Sequence, residues 1–192
     1  VVKFVVENAN EEIGVDVKKF GNIEAMPGDT IRYDFSDIRN ESNVPLDNFY
    51  WRDILPTDAV TLRIISTGTW NEELKYTIYY KTNLVSEERA LAERLSTSTN
   101  NTIDCSASAV KLKAGEVITE IRFDFGTVQP GFEPLTNPYI TCLVHPDLPH
   151  EYRFKNCTDV GGERGDEWVI DKDCWVTVIY AVPKGKLPKT GN

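Results

Sequence analysis

The amino-acid sequence predicts an all-β fold, a sandwich of two antiparallel sheets that carries one short inserted helix. Three observations lead there. Apolar residues alternate with polar ones at period 2 along many short segments rich in Val, Ile, Thr, Tyr and Phe. Clusters of turn-forming residues separate those segments, among them MPGDT, NVPLDN, ILPTD, VQPGF, HPDLP and VGGERGDE. One segment alone departs to helical spacing, and no long internal repeat points to a solenoid.

In chain order, strands are expected at 2–6, 13–20, 30–38, 48–54 and 60–66, then at 75–81, 117–125, 139–144, 152–160 and 174–182. Val15 and Val17 share a face of the second, and Phe49 and Trp51 a face of the fourth. In the sixth, Tyr76, Ile78 and Tyr80 share one face and Tyr79 lies on the other. Between the sixth and seventh, SEERALAERL carries apolar residues at helical spacing behind Ser86 as N-cap, and reads as the short helix. STSTNNT after it is a polar loop. Pro183 and Pro188 end the last ladder, since neither donates a backbone hydrogen bond. Residues 1–182 read as one domain, with the first strand belonging to it or to a preceding one, and 183–192 as a free tail.

The chain has 192 residues and a formal charge of −9, from 30 acidic and 21 basic residues. That balance argues against nucleic acid and anionic membranes as partners, because both select for basic patches. No apolar run approaches a membrane span. The four cysteines, Cys105, Cys142, Cys157 and Cys174, fit no zinc spacing. They are either four small buried hydrophobes or two disulfides. If the last two strands form a hairpin, Cys157 faces Cys174 and Cys105 is left with Cys142.

Three strands place a polar residue where their apolar face predicts a hydrophobe. Lys19 follows Val15 and Val17; Asp53 follows Phe49 and Trp51; Asn156 follows Tyr152 and Phe154. A shift of phase by one residue would substitute Lys18 for Lys19. Burying one charge alone is expensive, but these three have complementary chemistry. A desolvated lysine loses its proton more readily and becomes a nucleophile. A desolvated carboxylic acid stays protonated and can shuttle protons. Together they suit a spontaneous Lys–Asn isopeptide bond with loss of ammonia. The bland readings are a turn-capping Asp53, a Lys19 that snorkels to the rim, and an Asn156 bonded to backbone.

Two stretches carry a family resemblance. The tail residues Leu187, Pro188, Lys189, Thr190 and Gly191 resemble the LPxTG signal of Gram-positive surface proteins. PGDTIRYDFSDIRNESNVPLDNFYWRDILP, FDFGTVQPGF and YRFKNCTDV resemble steps of the Ig-like repeats of bacterial adhesins and wall-anchored stalks, over roughly residues 15–182. The first resemblance implies sortase as a partner and covalent attachment to peptidoglycan through Thr190, outside the cell. The second implies an Ig-like sandwich, and, in its collagen-adhesin-type members, the order Lys, Asp, Asn along the chain that Lys19, Asp53 and Asn156 follow. Both ends lack the flanking signals of a complete exported protein, so the chain is read as the last domain of a longer one.

No enzyme constellation is visible. His145, Asp147, His150 and Glu151 sit in a Pro-rich loop without helical ligand spacing. Asp29, Asp34 and Asp37 lack the glycine and bidentate Glu of a calcium loop. No metal or cofactor is expected. The function expected is a rigid spacer that presents upstream domains. The alternative is an adhesin binding a host glycan or matrix protein, which would show an exposed aromatic or apolar patch around residues 66–105.

Overall fold

A computed structural model describes residues 10–181. The expected strand at 2–6 and the sorting-signal residues 187–191 lie outside the described residues. The chain runs β1 (Val15–Phe20), β2 (Glu24–Ala25), β3 (Thr30–Asn40), β4 (Leu46–Ile54), β5 (Val60–Ser66), β6 (Thr69–Trp70) and β7 (Lys75–Thr82). It continues with β8 (Arg89–Ser96), β9 (Thr102–Asp104), a single helical turn α1 (Ala107–Val110), β10 (Ile118–Val128) and β11 (Pro134–Thr136). β12 (Tyr139–Val144), β13 (Arg153–Arg164) and β14 (Glu167–Ile179) complete it.

These strands form a sandwich. One sheet has the order β1-β3-β12-β5-β9 and the other β2-β14-β13-β4-β10-β7-β8, with β6 and β11 as a separate ribbon. All pairings are antiparallel except β2 with β14. The core lies between the sheets. Ile31, Tyr33, Phe35, Leu62, Ile65 and Ile140 of the first face Phe49, Trp51, Ile78, Phe123, Phe125 and Phe154 of the second, all buried. Trp51 sits with its ring centroid 4.5 Å from both Phe35 and Phe123, so one aromatic side chain ties the two layers together.

Two expectations are corrected. Residues 89–96 are not helical. They form β8 against the open edge of β7, with Leu95 opposite Tyr76 and Ala92 opposite Ile78. Helix propensity is a weak prior that an available ladder overrides. Leu91 and Leu95 still reach the core, and the irregular register is absorbed near Arg94, whose φ is +54°. The helix of this fold is α1, capped by Ser106, whose Oγ accepts the Ala109 N–H at 3.3 Å.

The second correction concerns the cysteines. A disulfide joins Cys157 to Cys174 across the β13–β14 hairpin. Cys105 and Cys142 are buried free thiols. β5 lies between β12, which carries Cys142, and the β9 edge that leads into Cys105. Two strand spacings amount to about 10 Å, beyond the reach of a disulfide.

Candidate functional site

β1 is an edge of the first sheet, and it faces β4 and β13 of the second. Lys19 points inward from β1 beside Phe35, its register partner on β3. Asp53 points inward from β4, opposite Thr158 of β13. Asn156 lies two residues along β13 from Thr158, so it meets Asp53 on the diagonal. The structure brings the three together. Lys19 Nζ donates to Asp53 Oδ1 at 2.7 Å, and Asn156 Nδ2 donates to Asp53 Oδ2 at 3.0 Å. Relative exposures are 2%, 0% and 0% for Lys19, Asp53 and Asn156. Lys18 is instead exposed and pairs with Asp37 at 3.4 Å on the surface.

The surroundings set the protonation. Desolvation pushes the Lys19 amine below its ordinary value, against the opposing pull of Asp53. Desolvation likewise raises the Asp53 carboxyl, against Lys19 and Asn156. Both directions favour the neutral pair, an amine beside a carboxylic acid. The Lys19 nitrogen lies 4.4 Å and 4.2 Å from the ring centroids of Tyr33 and Phe35, so water is excluded by aromatic walls. Asn156 Oδ1 is buried without a hydrogen-bond partner. Turning the amide over would present that oxygen to Asp53 Oδ2, where a protonated carboxyl donates to it and polarises the carbonyl.

Sequence reasoning missed what holds Lys19 in place. The outward backbone N–H groups of β1 have no neighbouring strand. The carboxylates of Asp171 and Asp173 on β14 take that role, accepting from Val17 N at 3.1 Å and Lys19 N at 2.8 Å. Side chains thus stand in for a ladder and fasten β1 to the edge of the opposite sheet. An open groove of about 470 Å³ runs along this seam, lined by residues 16–20 and 172–175. The aspartates alternate with Lys172 on a strand, a pattern that reads as an ordinary solvent face until the neighbour is known.

The other expected polar groups disperse. Asp29 accepts the Met26 N–H, and Asp34 pairs with Arg32 at 2.7 Å. His145 Nε2 contacts Thr61 Oγ1, while His150 Nδ1 accepts the Ala181 N–H. In the stretch 66–105, Trp70, Tyr76 and Tyr80 are buried and Leu84 is the exposed large hydrophobic among the described residues. No helix among the described residues is long and apolar enough to cross a membrane.

No protein-family model matches the chain. No curated protein matches it either. Two solved structures are similar in outline. One is AvmM, described as catalysing macrocyclization in alchivemycin A biosynthesis, at 8% identity over 90% of this chain and 92% of that one, with a TM-score of 0.34. The other is AggA, the major subunit of aggregative adherence fimbriae type I from Escherichia coli, at 8% identity over 89% of this chain and 96% of that one, also with a TM-score of 0.34. Likeness at that level carries no argument about function.

Proposed function

We propose that this chain is a self-crosslinking spacer domain of a wall-anchored surface protein, in which Lys19 and Asn156 become joined by an isopeptide bond. The observation that supports this is the burial of a lysine, an aspartic acid and an asparagine in mutual contact between two sheets. The neutral Lys19 amine attacks the Asn156 side-chain carbonyl carbon. Asp53 donates a proton to the amide oxygen and relays one from the attacking nitrogen to the departing one. One C–N bond forms, one breaks, and ammonia leaves past β1 into the adjacent groove. No oxidant or cofactor is consumed.

A covalent bond between β1 and β13 ties the first sheet to the second, which suits a domain that bears tension. The tail supplies the other half of the reading. LPKTG ends in the Thr–Gly bond that a sortase would cut, passing the Thr190 carbonyl to an amine of peptidoglycan and releasing the residues from Gly191 onward. The spacer reading is preferred over an adhesin because Trp70, Tyr76 and Tyr80 of 66–105 are buried in the core and the half-buried Tyr79, on the other face, lies under the Arg122 guanidinium.

Two measurements test it. Proteolytic digestion followed by mass spectrometry should yield a branched peptide joining Lys19 to Asn156. Incubation with sortase and a glycine nucleophile should replace the residues after Thr190. Finding only linear peptides over both sites removes the crosslink, and a tail left whole by sortase removes the anchor.

A further inference from the structure

Asn156 and Cys157 are consecutive residues of β13, and strand alternation sends them to opposite faces. Asn156 is buried against Asp53 and Lys19. Cys157 is bonded to Cys174, its register partner on β14, at a Cα–Cα distance of 4.1 Å. β1 is the first strand among the described residues and β14 the last.

We infer that the disulfide and the Lys19–Asn156 bond act in series as a covalent bypass, carrying tension from β1 to β14 without loading the rest of the sandwich. The inference rests on the isopeptide reading above and adds a function for the disulfide. The path enters at Lys19, crosses to Asn156, passes one peptide bond to Cys157, crosses to Cys174 and leaves along β14. Residues 20–155 and 158–173 lie outside it. The isopeptide bond alone would not achieve this, because it ends on the penultimate strand. Pulling on β14 would then separate the two ends of a hairpin whose turn is at Gly165 and Asp166, so its pairs would break one after another. Cys157–Cys174 closes that hairpin one pair inside Asn156, where the tension would enter it. The disulfide therefore decides whether the domain is inextensible or carries a short reserve of length that reductant can switch on.

Single-molecule stretching of the whole chain between its two ends tests this, with and without a phosphine reductant. At about 3.3–3.6 Å per extended residue, the reserve between Cys157 and Cys174, a separation of 17, is about 55 Å. The oxidised protein should show only the short peeling of residues outside the two links. Reductant should add a single step of about 55 Å, and Cys157→Ser should show that step without reductant. Traces that do not change with reductant, on protein whose mass is one ammonia short, overturn the bypass while leaving the isopeptide bond standing. A step on the order of 450 Å in the oxidised protein means that residues 20–155 are released. That result overturns the isopeptide reading and the bypass with it.

Discussion

Burying Lys19 and Asp53 as an ion pair would cost several kcal/mol per ion, which their contact returns only with good geometry. The proposed reaction would remove the problem, since an amide and a carboxylic acid are both neutral. Asp53→Ala should therefore have two effects. The reduced mass should equal the sequence mass, because nothing polarises the Asn156 carbonyl. Stability to urea should fall by about 1–3 kcal/mol, the usual cost of leaving a buried polar group without its hydrogen-bond partner. Lys19→Met should also block the reaction but lose less stability, since it fills the aromatic pocket and leaves only a carboxyl whose neutral form burial favours. Equal masses for wild type, Asp53→Ala and Lys19→Met, each corrected for its substitution, would falsify the assigned chemistry. These three positions were legible in the sequence because period-2 alternation makes a polar residue on an apolar face conspicuous. Asp171 and Asp173 were not, because their partner is the backbone of a strand some 150 residues away, and that leaves no local pattern.

Among the elements, the long strands were readable and the short ones were not. β5 and β12 have the boundaries that alternation predicts, whereas β2, β6, β9 and β11 hold two or three residues, too few to display a period. β8 misleads for a different reason. RALAERL has helix-forming residues, and only the open edge of β7 makes it a strand. Its approach is fastened by Glu116, whose carboxylate accepts from Thr82 Oγ1, Arg89 Nη2 and the Lys113 N–H at 2.8, 2.6 and 3.0 Å. The Lys113 N–H first, then Thr82, with Arg89 contributing less, hold the Glu116 carboxyl down to about 2, against an ordinary 4.5. The proton binds the unfolded chain more readily than the folded one. Glu116 therefore stabilises the fold above about pH 4.5 and loses that contribution as pH falls towards 2. Urea midpoints at pH 6 and pH 3 should differ more in wild type than in Glu116→Gln; an equal difference would show that this carboxylate does not hold the edge.

At the scale of the molecule, composition and turn spacing sufficed for an all-β sandwich, but the layering of strands was beyond them. Which strand neighbours which decides that Cys142 and Cys105 are separated by β5, and that Lys19 lies across from Asp53 and Asn156 instead of beside them. That placement makes the site a tie between sheets. A bond within one sheet would add little to a ladder that already shares load, whereas a bond across the core prevents the layers from sliding apart.

The most direct measurement is the intact mass of the fully reduced protein. Reduction removes the contribution of the Cys157–Cys174 bridge, so only amide chemistry can change the remaining value. A mass lower than the sequence mass by one ammonia is the predicted result; a mass equal to the sequence mass would contradict a covalent tie between Lys19 and Asn156.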